Sequence, residues 1–275
     1  MKAIAFVVAA LFATSCTTGR SDDTPSERDA LAALRPFGAV ATADRARPGA
    51  PVVRLVFPPN SPKKLADEDL VHLKGFPHLV ALDLGAQPIT DGGLKHLTAL
   101  AELQELNLNW SKVTPAGVVG LAKDHPRLRR LELSAVPLRD DDLAALTALT
   151  DLRHLGLRRT LVTDRGLAHL TAFRELRKLS LMHTAVTDAG LRHLTTLTHL
   201  EDLDLERTAI TDAGLAQLKA LTNLQKLQLG YTAISDAGLE QLQGLSKLTE
   251  LRVGHTKVTA DGLNKLQQRL PNLRK

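Results

Sequence analysis

From Leu79 onward the chain repeats one pattern of apolar and polar positions. Leucines recur at Leu79, Leu103, Leu128, Leu152, Leu176, Leu200, Leu224 and Leu248, with a last one at Leu273. The step is 24 residues, except for 25 at Leu103–Leu128 and Leu248–Leu273. Counting each of these leucines as position one, a unit reads Leu-x-x-Leu-x-Leu-x-x-Thr-x-Ile/Val-Thr-Asp-x-Gly-Leu-x-x-Leu-x-x-Leu. Positions four to six alternate, which predicts a short strand. Later leucines such as Leu191, Leu194 and Leu197 fall three apart and predict one apolar helical stripe. Each unit is therefore strand, turn, short helix and return loop. One unit cannot bury its own leucines, whereas stacked neighbours bury them in a continuous core.

This pattern resembles the leucine-rich repeat over residues 79–273. The Thr-Asp-Ala-Gly-Leu starts at Thr187 and Thr211 and the Pro-x-Leu entries at Pro77, Pro126 and Pro271 resemble the ribonuclease-inhibitor-like and cysteine-containing subclass. That subclass supplies the repeats of F-box substrate receptors, and many bacterial envelope proteins carry close copies. The resemblance implies an α/β solenoid: a curved right-handed coil with a parallel β-sheet on its concave face and short helices on its convex face. The chain departs from the family at position nine, where Asn or Cys is usual. Here stand Gln87, Ser111, Val136, Thr160, Thr184, Thr208, Thr232 and Thr256. A Thr hydroxyl can take over part of that column's hydrogen bonding to the turn backbone. Val136 cannot, so the third unit is expected to be the irregular one.

The Thr-Asp pair fits a helix start. Thr is a good N-cap, and an acid in the first turn meets the positive end of the helix dipole. The same effect accounts for Asp140-Asp141-Asp142. Glycine recurs in that turn at 93, 117, 166, 190, 214, 238 and 262, which suggests close approach between coils. A phosphate-binding loop is excluded, because the glycines lie a whole unit apart and no Lys-Ser/Thr follows.

Residues 1–15 read as a secretory leader, with Lys2 before an apolar run over 3–13. Ala13-Thr14-Ser15-Cys16 resembles a bacterial lipobox, which implies lipidation of Cys16, the only cysteine. Ordinary cleavage after a small-residue motif is the alternative. Residues 16–25 form a polar tether. Residues 26–78 are expected to cap the solenoid with a helix begun by Ser26 and stopped by Pro36, a hairpin of Val40–Thr42 with Val52–Phe57, and a degenerate repeat over Leu65–Leu73. Residues 79–275 hold eight repeats and a C-terminal stub.

Positions three, five, seven and eight of each unit are expected to point away from the core. They gather Arg130, His154, Arg158, Arg159, Lys178 and His183 side by side, with only Glu132 against them. Met182 lies among these, and the sixth unit adds Asp202, Asp204 and Glu206 beside Arg207. Trp110 and Tyr231, the only Trp and Tyr, both fall at position eight. Interface hot spots favour Trp, Tyr and Arg. The alternative for the two aromatics is packing on a neighbouring coil's edge.

The expected function is a non-catalytic scaffold that binds a protein or peptide on the concave face. The alternatives are recognition of an anionic polymer through the basic patch and an F-box-receptor-like adaptor. The last has no F-box-like module in residues 17–78 to support it. Net charge is +5, from 35 basic and 30 acidic residues, which is too small an excess to point to nucleic acid. No catalytic or cofactor motif stands out. The paired histidines His72 and His96, or His169 and His193, lack a third ligand for zinc. The expected state is a monomer. Its expected location is the cell envelope, reached by secretion across the inner membrane and held by a lipid on Cys16. A free periplasmic or extracellular protein is the alternative.

Overall fold

The computed structural model describes residues 26–274. The leader, Cys16 and the tether lie outside the described residues. Ten strands form one sheet in chain order: β1 (Val40–Ala43), β2 (Val52–Val56), β3 (Ala81–Asp83), β4 (Glu105–Asn107), β5 (Arg130–Glu132), β6 (His154–Gly156), β7 (Lys178–Ser180), β8 (Asp202–Asp204), β9 (Lys226–Gln228) and β10 (Glu250–Arg252). β1 and β2 pair antiparallel, and every later pair is parallel. The register puts the position-four leucines side by side, from Leu82 through Leu106, Leu131 and Leu155 to Leu251. With the leucines of positions one and six and of the opposite side, they build one core from Ala30 to Leu273.

Ser26 caps the first helix, Glu27–Leu34, by accepting the Asp29 N–H at 3.2 Å. The α-helix ends at Leu34, just before Pro36, as expected. A 3-10 turn, Arg35–Phe37, follows with Pro36 in its first residues, where its missing N–H costs nothing. The hairpin loop is fastened to the end of the first repeat, where Arg47 Nη1 meets Glu102 Oε2 at 2.8 Å; His78 Nδ1 meets the same carboxylate's Oε1 at 2.8 Å.

On the convex side the expected helical stripe is mostly 3-10. Three consecutive units pair a four-residue α-turn with a five-residue 3-10 helix: Asp164–Leu167 with Ala168–Ala172, Asp188–Leu191 with Arg192–Thr196, and Asp212–Leu215 with Ala216–Ala220. The reason is the spacing of three. A 3-10 helix has about three residues per turn, so leucines three apart stay in one line over the core. An α-helix, at about 3.6 per turn, would rotate them away. The two 25-residue units instead carry ten-residue α-helices, Pro115–Asp124 and Ala260–Arg269. The third unit has a seven-residue α-helix, Asp140–Leu146. It is irregular as expected, but not alone: the second unit departs from the common form just as clearly. Val136 is fully buried, and its N–H still reaches Leu133 O at 3.1 Å. What it lacks is the side-chain bond of its counterparts, such as Thr184 Oγ1 to Leu181 O at 2.7 Å.

The Thr-Asp pair serves two coils at once. Thr211 caps its own helix, accepting the Ala213 N–H at 3.3 Å. Its N–H and hydroxyl donate to Asp188 of the coil before, at 2.8 Å and 2.5 Å. The same bridge links Asp67 to Thr90, Asp91 to Thr114, Asp140 to Thr163, Asp164 to Thr187, Asp212 to Ser235 and Asp236 to Thr259. It is interrupted where Pro115 offers no carboxylate and Arg139 no hydroxyl. The dipole reading of the acid is therefore incomplete, because both carboxylate oxygens are held by the next coil. It also falls short for the acidic triplet. Asp140 belongs to the bridge, Asp141 meets Arg165 at 2.9 Å, and Asp142 accepts the Arg139 N–H at 2.7 Å.

The recurrent glycine has the same origin. A Cβ on Gly214 would lie 2.2 Å from Asp188 Oδ1, inside contact distance. Helix propensity favours alanine over glycine by roughly 0.5–1 kcal/mol, so the carboxylate decides this position.

One residue breaks the core pattern. His125 closes the second unit, where other units place Phe76, Leu100, Phe173 or Leu197. It is buried, and its Nε2 has no hydrogen-bond partner. Burial lowers its pKa below the ordinary 6.5, against a weaker opposing pull from Asp124.

Gly214→Ala is expected to destabilise by about 1–3 kcal/mol through overpacking. Gly120→Ala, with nothing within 4 Å of its Cβ, should stabilise by roughly 0.5–1 kcal/mol. Asp188→Ala alone strands the Thr211 donors and should cost about 2–3 kcal/mol. Urea unfolding of Asp188→Ala/Gly214→Ala should fall well short of the summed single costs, since the methyl then has room; strict additivity would contradict the bridge.

His125→Leu should raise stability by about 1–3 kcal/mol by removing a buried, unsatisfied polar group. The wild-type chain takes up fewer protons when folded, so His125 costs stability as pH falls below the unfolded value of 6.5, until its lowered folded pKa is passed. The difference between variant and wild type in thermal melts should therefore widen between neutral pH and pH about 5; a constant difference would contradict it.

Candidate binding face

The strands alternate, so position four turns into the core and positions three and five turn out, followed by seven and eight at the strand's end. Not all of these reach solvent. Ala81, Ser134, Gly156 and Gly230 are buried, so the expected array is thinner than the sequence pattern suggests.

Position eight is the most regular feature of the face. In every unit its residue has left-handed backbone: Ala86, Trp110, Ala135, Arg159, His183, Arg207, Tyr231 and His255, with φ between 55° and 64°. None is glycine, and such conformations cost on the order of 1–3 kcal/mol each. Neighbouring coils hold them there. Trp110 N–H donates to Ser134 O at 2.8 Å, Arg159 to Met182 O at 2.9 Å, His183 to Glu206 O at 2.8 Å and Arg207 to Gly230 O at 2.9 Å. The result is a rim with one side chain per coil, exposed at Trp110, Arg159, His183, Arg207, Tyr231 and His255 and half-buried at Ala86 and Ala135.

Planar groups on this rim contact one another. The Arg159 guanidinium lies 5.3 Å from the Trp110 ring, across Ala135 of the intervening coil. Arg207 lies 3.8 Å from the Tyr231 ring, and Tyr231 stacks on His255 at 4.2 Å. Tyr231 thus packs against its neighbours along the rim and is still 45% exposed. Trp110 is 52% exposed.

The basic patch is less free than its composition suggests. Glu132, mostly buried, holds both Arg130 and His154 at 2.8 Å. Burial works against its charged form, but hydrogen bonds and charge from His154 and Arg130 outweigh this and keep its pKa below the ordinary value. Gly156 leaves the room: a Cβ there would lie 1.9 Å from Glu132 Oε2. Lys178 leans toward Asp202 of the next coil at 3.9 Å. Asp204 accepts the Ser180 hydroxyl at 2.8 Å, and burial raises its pKa although Arg158 pulls it down. Glu132 is therefore not the only acid facing the patch, because the acidic sixth unit borders it directly. Among the described residues Arg158, Arg159, His183 and Arg207 have no ion pair, nor has Glu206. Met182 sits half-buried on the middle of these three coils, beside His183.

Sequence reasoning missed a groove of about 670 Å³ at the seventh and eighth units. Its lining includes Glu206, Tyr231, Arg252 and His255, with Val258 and Leu263 below. The available signal was a pair of glycines at position seven, Gly230 and Gly254, which removes two side chains from adjacent strands. No three metal-binding side chains gather among the described residues, and none of the described helices is long and apolar enough to cross a membrane.

Family models described as leucine-rich repeat match residues 198–258 and 102–122. The fold is a leucine-rich repeat solenoid. Its solenoid is similar to internalin C2 of Listeria monocytogenes, with a TM-score of 0.59 and 23% identity over 88% of this chain and 100% of that one. An internalin F of the same species gives 0.56 and 19% identity, over 90% of this chain and 86% of that one. A leucine-rich repeat protein of Leptospira interrogans gives 0.51 and 18% identity, over 74% of this chain and 56% of that one. At these identities the likeness shows the shared fold. No curated protein sequence matches the chain.

Proposed function

We propose that this leucine-rich repeat protein is a non-catalytic scaffold that binds a protein partner on its concave sheet face. The supporting observation is the rim of position-eight side chains, held in a fixed left-handed backbone with Trp110, Arg159, Arg207 and Tyr231 exposed. Hot-spot residue types on a preorganised surface lose little entropy on binding. Opposite charges two coils apart, Arg158 and Arg159 against Asp204 and Glu206, suit a partner of mixed charge. The pairing of Arg130 and His154 with Glu132 speaks against a purely anionic polymer as the ligand. We further propose that the leader directs secretion to the cell envelope and that Cys16 carries the lipid anchor.

Affinity capture from envelope extract should recover a partner with the wild-type chain and lose it with Arg158→Glu/Arg159→Glu and with Trp110→Ala. Unchanged partners in both variants would remove the concave-face reading. Mass spectrometry of the mature N-terminus should find an acylated Cys16; an unmodified N-terminus would refute the anchor.

A further inference from the structure

Three successive coils set Arg159, His183 and Arg207 in a row at position eight, all exposed, without an ion pair among the described residues. Their backbones are locked by bonds to Met182 O, Glu206 O and Gly230 O, so the row is rigid. Arg159 is also steadied over Trp110, and Arg207 over Tyr231. Arginine planes braced by rings keep their outer N–H groups aimed at carboxylates. Resting on the concave-face reading above, we infer that this row docks a partner helix bearing a stripe of acidic side chains.

Spacing selects the helix. Neighbouring coils lie about 4.8 Å apart, the distance between paired strands. One turn of α-helix advances about 5.4 Å. A helix lying along the rim therefore offers one acidic side chain per coil at i, i+3 or i+4, and i+7. Over the two steps from Arg159 to Arg207 the mismatch is only about 1 Å. An extended chain presents same-face residues about 6.7 Å apart and falls out of step by nearly 4 Å over the same span.

Charge then selects protein over polyanion. Glu206 follows directly on the row: its carbonyl accepts the His183 N–H at 2.8 Å, and it precedes Arg207 in the chain. Asp204 and Asp202 continue the acid inward on the same strand. A chain that is anionic on every side meets this repulsion. A helix with an acidic stripe and a neutral or basic flank does not.

The test uses a synthetic Ala-rich helical peptide with Glu along one face, and a peptide of the same composition with Glu scattered around the helix. Trp110 is the only Trp, so its emission reports whether the ligand engages the Arg159 contact. The striped peptide should bind at low salt, change Trp110 emission and exceed the scattered one by about tenfold in affinity. Arg159→Glu/Arg207→Glu should lose about tenfold or more. Lys219→Glu, in the convex 3-10 helix Ala216–Ala220, is the control that should stay at wild type. Circular dichroism checks folding, and Arg159→Gln/Arg207→Gln replaces the reversal if that variant melts early. Equal binding of the two peptides, an unaffected double variant, or tighter binding of a heparin oligosaccharide than of the striped peptide would overturn the inference. A cellular partner still captured through Trp110 by a chain that ignores the striped peptide would end the rim proposal and leave the broader reading intact.

Discussion

The solenoid depends on one contact repeated along its convex edge: a carboxylate from each coil seated in the helix start of the next. Asp188 takes both donors of Thr211, and Gly214 leaves the space it needs. Leucine packing makes coils stack, but apolar contact is non-directional and tolerates sliding. A charge-assisted pair of hydrogen bonds does not. The bridge therefore fixes each coil's rotation on its neighbour, and the three-residue strands stay in register along the whole sheet. Where it lapses, at Pro115 and Arg139, the helices lengthen into ten and seven residues of α-helix. The strand register there is unchanged, so the sheet carries that joint without help.

That rigidity reaches the opposite face. Of the eight non-glycine rim residues in left-handed backbone, the seven from Ala86 to Tyr231 are held there by a carbonyl of the next coil. The strain is local and the restraint comes from the stack. A surface of this kind is set before any partner arrives, and its charges are already partly spoken for. Glu132 satisfies two basic groups, Lys178 leans on Asp202, and the unpaired cations left over lie toward the rim.

Much of this was legible in the repeat. The leucine columns, one short strand per unit (at positions three to five, one residue earlier than the alternation at four to six predicts) and the hairpin before Leu79 follow from periodicity, and the same arithmetic places the outward positions. The Thr and Asp of each helix start were legible as capping residues, because capping is local. Their larger role was not, since the two residues that share a bridge lie 23 apart. The leucine triplets were legible as a stripe, and their spacing of three already encoded 3-10 geometry. The rim was not legible. Trp, Arg, Tyr and Ala carry no preference for left-handed backbone, and the two histidines only a weak one, so position eight as a column did not announce it.

The sequence by itself determined what recurs: which side chains enter the core, how many coils stack, and where each helix begins. These depend on local chemistry and on period, and both are written in the order of residues. The tertiary structure alone decided which groups meet across coils. The carboxylate beside each glycine, the cations that remain unpaired and the planes that stack on the rim are set by neighbours about 24 residues apart. Contacts between coils are the product of the stack's rotation and spacing, which no single unit contains.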